Sequence, residues 1–282
     1  VATAREIRRR IRSVKNIAKI TKAMQLVAAS HVRRAQARVT ESRPYAEALR
    51  EILAGLATQT GKVRHPLLVQ RPAERILIVE ITPDRGLCGS LISNLHRKVA
   101  REMADRPGSK SMLAIGRKAR DFARRTNTKL LAEFTGIPDR PTLSDVTAAA
   151  RLVIDSYEDE QVDLVLLGYT KFINTLTQQS TMEQLLPVVP PEGETSTANF
   201  LYEPDENAVL ADLLPRYVET RLYQALLESK ASEWSARMVA MRAATDAAND
   251  MAQEYTMALN KARQAGITSE IAEIAAGAAA LN

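Results

Sequence analysis

The residues best placed to do chemistry lie in TPDRGLCGS, which follows the apolar run RILIVEI at Arg75 to Ile81. A glycine-bearing turn at the end of a strand is where an α/β enzyme cradles a phosphate. The signature here is incomplete. It is neither G-x-G-x-x-G nor G-x-x-x-x-G-K-[ST], since the lysine and the spacing are both missing. Gly86 and Gly89 therefore read first as a tight turn that needs backbone freedom. Cys88, beside Arg85, is the one cysteine. Without a histidine partner near it in sequence, it reads as a buried structural residue rather than a nucleophile. A single cysteine also excludes an intramolecular disulfide and a multi-cysteine zinc site. His31, His65 and His96 are scattered and lack metal-ligand spacing. Asp84 with Asp121, or Glu158, Asp159 and Glu160, would be the acid pairs for general acid–base work, but they read as solvated loop and helix-end charges. No catalytic residue, cofactor-binding residue or metal ligand is assigned.

The elements that would position such groups occupy the middle of the chain. Arg75 to Ile81 is short, β-branched and apolar on both faces, as expected of a buried strand. Ser111 to Ile115, Leu130 to Phe134 and Val162 to Gly168 are further strands. Between them, Leu91 to Ala104, Arg117 to Thr126 and a segment from Ser144 as N-cap to about Glu160 have helical spacing. This alternation implies an open, mostly parallel α/β sheet. Thr170 to Leu186 reads as a longer edge strand. PVVPPEGETSTAN, from Pro187 to Asn199, reads as a mobile loop.

Two long helices flank this middle. In the first, Ile7, Ile11, Val14, Ile17, Ile20, Met24, Val27 and Val32 recur at helical intervals. Pro44 should kink or interrupt it. Arg5, Arg8, Arg9, Arg10, Arg12, Lys15, Lys19, Lys22, Arg33, Arg34 and Arg38 face a single acid, Glu6, before residue 40. That is either a solvated basic face or a surface that meets an acidic partner. In the last helix, Trp234, Met238, Met241, Ala244, Ala248, Met251, Tyr255, Leu259 and Ala262 recur at a mean of roughly 3.5, the coiled-coil period. This helix should begin near Asp212, with Pro215 in its first turn. A helix of that length needs a partner, and the basic first helix opposite an acidic excess in the last favours pairing between them. Ile267 to Leu281 carries little polar surface after Glu273, so it is expected to dock into something.

Composition narrows the classes. Hydrophobic residues make up 45% of the 282, enough for a buried core, whereas aromatics are only 4%, which suits slim helices better than a broad sandwich. A net charge of +6 permits nucleic acid, an anionic membrane surface or acidic protein partners without choosing among them. No run of about 18–20 apolar residues spans a membrane. VATAREIRRR lacks an apolar signal core.

Both ends resemble the gamma subunit of rotary ATP synthases. The N-terminal likeness is IRRRIRSVKNIAKITKAMQLVAASHVRRAQ, residues 7–36. The C-terminal likeness is SEWSARMVAMRAATDAANDM with NKARQAGITSEIAEIAAGAAAL. DRGLCG, GYTKF, EQLLP and LYEPD fit between them. The likeness covers nearly the whole chain in order, and KITKAM with ARQxxITxEIxEI is highly specific.

The resemblance implies α/β plus a long α-helical coiled coil: an antiparallel two-helix coiled coil from the chain termini with a central Rossmann-like α/β domain. Residues 1–57 and 205–282 would supply the two helices and 74–203 the domain. It implies a non-catalytic central shaft that couples proton-driven rotation of the membrane ring to ATP synthesis in the alpha/beta hexamer. The expected partners are the alpha and beta subunits, the epsilon subunit and the c subunits of the ring, with no cofactor, no nucleic acid and no membrane span. Met24 and Arg237 would lie near the catch of a beta subunit, with Arg263, Gln264 and Thr268 higher up. Ile271, Ile274 and Leu281 would sit in an apolar bearing. Tyr202, Glu203 and Asp205 would face the ring and epsilon. The expected location is the cytoplasmic face of a bacterial plasma membrane, or the matrix face for a mature mitochondrial chain. Ile92 stands where relatives often have asparagine, and TDAAND replaces the commoner TDNA run. Without an extra cysteine pair, a chloroplast-type thiol switch is not expected. The competing readings are a basic coiled-coil nucleic-acid-binding protein with an α/β head, and a nucleotide-dependent enzyme built on that head.

Overall fold

A computed structural model describes residues 4–59, 65–189 and 206–280. The elements in chain order are α1 (Ala4–Gln59), a 3-10 turn (Pro66–Leu68), β1 (Arg75–Ile81), α2 (Leu91–Asp105), β2 (Ser109–Ile115), α3 (Arg117–Arg125), β3 (Lys129–Phe134), α4 (Ser144–Glu158), β4 (Leu164–Phe172), β5 (Gln178–Leu186) and α5 (Glu206–Ala280). The chain divides into two compact units. The larger is Ala29–Arg237; the smaller combines Val1–Ala28 with Met238–Asn282.

The larger unit is built on a five-stranded sheet of order β3-β2-β1-β4-β5. β1 pairs in parallel with β2 and β4, β2 with β3 in parallel, and β4 with β5 antiparallel. Alternation along each strand feeds two cores. Leu77, Val79, Ile81, Leu113, Ile115, Val165 and Leu167 pack with Val146, Val153 and Tyr157 of α4 and Leu214, Val218 and Leu222 of α5. Ile76, Ile78, Met112, Leu164 and Leu166 pack on the other face with Leu95 and Val99 of α2 and Phe122 of α3. Glu80 breaks the apolar run of β1. It is fully buried, and His96 of α2 sits 2.8 Å from its Oε1 while stacking on Phe122 at 4.3 Å. A buried carboxylate needs such a partner to offset its desolvation.

Several boundaries differ from the sequence reading. Ser144 is the first residue of α4 rather than its cap. Two residues earlier, the Asp145 carboxylate accepts from the N–H and hydroxyl of Thr142 at 2.7 and 2.9 Å. This is the reach-back arm of a capping box. The helix stops at Glu158 because Glu160 turns into the left-handed region at φ 56°. The stretch from Thr170 to Leu186 is two strands, not one. Asn174 makes the turn, its Oδ1 accepting from the N–H groups of Leu176 and Thr177 at 2.9 and 2.8 Å, an Asx turn that needs neither glycine nor proline. α1 continues through Pro44. α5 starts at Glu206, so Pro215 lies inside the helix, beyond its first turn.

β4 outruns β1. Their pairing ends at Glu80 with Gly168, whereas β4 continues to Phe172. The open edge beyond Gly168 is closed by side chains of α5. Ser229 Oγ accepts from Thr170 N–H at 3.4 Å, Ser232 Oγ donates to Thr170 O at 3.0 Å, and Glu228 Oε2 accepts from Phe172 N–H at 3.3 Å. Phe172 itself packs with Val39 of α1 and with Leu227 and Ala231 of α5.

The smaller unit is a helix pair. Val14 and Ala18 of α1 cluster with Ala248 and Ala252 of α5, and Thr21 Oγ1 lies 2.8 Å from Thr245 Oγ1. Residue numbers rise on one helix as they fall on the other, so the pairing is antiparallel. Ile7, Val14, Thr21 and Ala28 are buried at the heptad interval of a coiled coil, as are Met241 and Ala248 on the facing helix. The seam follows the apolar list read from sequence at Ile7, Val14, Met241 and Ala248 but not throughout. Ile17, Ile20 and Val27 face outward, as does Met251. Two helices share only a narrow stripe, and small residues at its centre let them approach closely while the bulkier chains are turned away.

Candidate functional site

An open α/β sheet binds ligands beyond the carboxyl ends of its parallel strands, at the switch point that here lies between β1 and β4. Next to it, the chain fills the ends of β1, β2 and β3 with its own groups. Arg117 N–H at the start of α3 donates to Asp84 Oδ1 at 2.8 Å, Lys118 N–H to Pro83 O at 3.3 Å and Ala119 N–H to Thr82 Oγ1 at 2.7 Å. These are the unpaired donors of a helix N-terminus, the groups that would otherwise hold a phosphate. Asp84 Oδ2 also accepts from Gly136 N–H at 2.9 Å, tying in the loop after β3. Gly116 has φ 100°, and a Cβ there would lie 2.0 Å from Thr82 O. Asp84 is therefore a loop staple rather than half of an acid pair. Asp121 is a separate group, held below the usual carboxylate range by its hydrogen bond from Arg120.

The rest of DRGLCG is anchored from α5. The Arg237 guanidinium donates to Gly86 O at 3.2 Å, pairs with Glu233 at 2.8 Å and lies over the Trp234 ring at 4.7 Å. Trp234 stacks in turn on His31 of α1 at 4.1 Å. Arg237 is buried, so in the chain alone it is engaged with the loop rather than presented as an open surface cation. Sequence reading singled out both DRGLCG and Arg237 without joining them. Cys88 is buried beneath this loop, and burial, the largest influence, pushes its thiol up. That is opposite to what a reactive thiolate requires. The histidines serve structure. His65 Nδ1 accepts from Leu67 N–H to cap the 3-10 turn, His96 meets Glu80, and His31 stacks on Trp234, burial lowering its pKa. Among the described residues no group of three or more His, Cys, Asp or Glu is arranged to hold a metal.

The remaining candidates are surface positions on the two helices of the smaller unit. Met24 is half-buried beside an exposed apolar flank formed by Ile17 at 49%, Ile20 at 60% and Val27. Lys15, Lys19 and Lys22 line a surface groove with Thr245, Asp246 and Asn249. Arg263, Gln264 and Thr268 are exposed; the Thr268 hydroxyl is turned back onto Gln264 O at 2.9 Å. Ile271 and Ile274 are 62% and 73% exposed. Tyr202, Glu203, Asp205 and Leu281 lie outside the described residues. What sequence reading missed is the small-residue seam that decides which side chains are left outside. Its signal was the heptad placement of Thr21, Ala28, Thr245 and Ala252.

The family model described as ATP synthase matches residues 3–281. The ATP synthase gamma chain of Dehalococcoides mccartyi is 47% identical over 286 residues, covering all of both chains, and that of Herpetosiphon aurantiacus is 49% identical over 294 residues, again covering all of both. This chain belongs to the ATP synthase gamma chain family. Solved structures agree. The central stalk of the Tetrahymena thermophila mitochondrial ATP synthase has a TM-score of 0.62 at 27% identity, covering 80% of this chain and 99% of that one. A Euglena gracilis mitochondrial ATP synthase chain shares the fold, with a TM-score of 0.70 at 18% identity over 99% of this chain and 94% of that one. A gamma chain is the central rotor subunit of its synthase. That reading is the one these relatives support, and none of them supports a nucleic-acid-binding protein. Among the described residues no helix is long and apolar enough to cross a membrane.

Proposed function

We propose that this gamma chain is a non-catalytic rotor shaft, coupling proton-driven rotation of a membrane ring of c subunits to ATP synthesis and hydrolysis in an alpha/beta hexamer. One observation supports the non-catalytic part above the others: the N-terminus of α3 spends its donors on Thr82, Pro83 and Asp84. A phosphate bound at that helix end would have to displace all three.

In this reading the work divides between residues 1–57 with 205–282 as the shaft, and 74–203 as the head. The flank of Ile17, Ile20, Met24 and Val27 meets the hexamer, with Arg263, Gln264 and Thr268 contacting it further along. Ile271, Ile274 and Leu281 run in its bearing, where many weak dispersion contacts without directional bonds permit sliding. Met24 and Arg237 lie near the catch of a beta subunit, Arg237 acting through the loop it holds. Tyr202, Glu203 and Asp205 face the epsilon subunit and the ring. The complex works on the cytoplasmic face of a bacterial plasma membrane, held peripherally, or on the matrix face in a mitochondrion.

The test is to mix the chain with alpha and beta subunits and measure ATP hydrolysis. The expected result is a stoichiometric complex with one copy of this chain, and activity that the chain alone lacks. Micromolar nucleotide binding or turnover by the isolated chain would return the head to the enzyme class. Failure to form a complex with well-folded alpha and beta would remove the shaft reading.

A further inference from the structure

The joint between the sheet and α5 carries an inference that rests on the shaft reading. Part of the contact between them is apolar: Leu214, Val218 and Leu222 against the strands. Such packing resists separation but is not directional. Packing of that kind does not by itself fix the rotation of the helix about its own axis; directional bonds do. Arg221 reaches Glu183 of β5 and Arg237 holds Gly86 O, and Glu228, Ser229 and Ser232 are the set that engages the backbone of β4. They act as the missing neighbour strand for β4, satisfying Thr170 N–H, Thr170 O and Phe172 N–H. All three side chains are buried, as are Thr170 and Phe172. They lie on one side of the helix within little more than a turn, so a rotation by one residue, about 100°, strips all three contacts at once. Buried backbone groups left without partners are costly, which makes the registered position a discrete one. Phe172, wedged with Val39 of α1 and Ala231 of α5, closes the same corner.

We infer that Glu228, Ser229 and Ser232 form the torque-bearing joint of the shaft, the polar clip through which a twist applied to the head passes into α5. They are positioning residues: none touches nucleotide or the membrane ring. α5 runs unbroken from this clip to Ala280, so torque entering at the clip is carried along a single helix.

The experiment uses the complete synthase, with this chain as its gamma subunit, in sealed vesicles. It compares the parent, the Ser229→Ala/Ser232→Ala double variant and Glu228→Gln, which keeps an acceptor oxygen. Two quantities are read: the rate of ATP hydrolysis and the protons pumped per ATP. The expected result is hydrolysis within twofold of the parent for both variants. Pumping per ATP should fall at least twofold in the double variant and stay at the parental value in Glu228→Gln. Unchanged pumping per ATP in the double variant would overturn the clip. If the double variant does not assemble, Ser229→Ala alone is read the same way. A parent chain that confers no hydrolysis on alpha and beta fails the shaft reading instead, which separates the two outcomes. Hydrogen exchange in the intact complex gives a second check. The Thr170 amide should exchange at least tenfold faster in the double variant, with the Phe172 amide, still held by Glu228, as internal reference; unchanged exchange at Thr170 would equally overturn the assignment.

Discussion

Around β1 the bulkiest apolar side chains are the most deeply buried: Leu77, Ile78 and Ile81 have at most 1% of their surface exposed. In the helix pair size does not decide. Ala18, Thr21, Ala248 and Ala252 are inside together with Ile7, Val14 and Met241, while Ile17 and Ile20 are outside. The same residue types are thus sorted by geometry, not by hydrophobicity alone. A sheet covered on both faces by helices offers a broad interior that large side chains must fill. Two helices offer each other only a stripe, narrower than the apolar arc each one carries. What the stripe cannot cover stays exposed, and a contiguous exposed apolar flank marks a surface made for another molecule.

The largest effect should come from breaking the sheet unit at its tightest turn. Gly116→Ala places a Cβ where Thr82 O already lies, at φ 100°. We expect a loss of about 3 kcal/mol or more, the scale of combined backbone strain and core disruption. Urea unfolding of the chain measures it; a loss under about 1 kcal/mol would mean that this turn adapts and that the sheet unit is not as closely determined as its burial suggests.

In the helix pair the corresponding error is excess volume. Ala248→Leu inserts a large side chain beside Val14 and Ala18. A destabilisation of about 1–3 kcal/mol is expected from overpacking, read as a lower thermal midpoint of the helical signal. Ala275→Leu, at an exposed position of the same helix, should leave that midpoint in place. If the two variants behave alike, the seam is not the organising contact of this unit.

Charge sharpens the comparison differently. Asp163, buried at the foot of β4, accepts from Arg75 N–H at 2.9 Å and from its guanidinium at 2.6 and 3.0 Å. The Arg75 hydrogen bond, against the opposing pull of burial, holds the carboxyl below its ordinary value. The charged form is therefore favoured by the fold. Its contribution is present above the ordinary carboxylate range near about pH 4, and is lost as pH falls through the lowered folded value. The parent should exceed Asp163→Asn in stability at pH 7, with the gap closing at pH values below about 4. A gap that widens on acidification would reverse this assignment. The exposed helix pair, rich in solvated lysine and arginine, has no such buried carboxylate among its described residues.

Much of this was legible beforehand, for reasons that differ by region. RILIVEI announces itself as β1 because a strand buried on both faces is mostly apolar, Glu80 being the exception that His96 partners, and the alternation of strand and helix leaves few topologies. The β4–β5 hairpin was hidden because Asn174 turns the chain with a side-chain oxygen, a device invisible to a search for glycine and proline. The clip of Glu228, Ser229 and Ser232 was hidden too: polar residues on a helix read as a wet face until a strand edge is found against them. In the seam, periodicity gave the correct heptad spacing, but apolar size pointed to Ile17 and Met251 where packing selects Ala18 and Ala252. The positions assigned by family likeness, such as Arg263 and Ile271, are exposed, and their assignment rests on that likeness alone. Arg237 is the case where local structure adds most, since only coordinates reveal that it holds Gly86.

The smallest effect on the chain alone should be the most informative about the complex. Ile20 is more exposed than any residue of the seam, so Ile20→Ser removes apolar surface that the isolated chain never buries. Its folding stability should change by less than about 0.5 kcal/mol. If the outward flank is instead buried in the hexamer, the same substitution forfeits that burial. At roughly 25 cal/mol per Å², covering one isoleucine contributes about 1.5–3 kcal/mol. Affinity for the alpha/beta hexamer should then fall by roughly tenfold or more, since about 1.4 kcal/mol is a factor of ten. The pairing of an unchanged urea midpoint with weakened assembly is what distinguishes a surface kept for a partner from a poorly packed core. Equal affinity in parent and variant would leave Ile20 as an ordinary exposed side chain, and would move the contact to the other apolar positions that the narrow seam leaves uncovered.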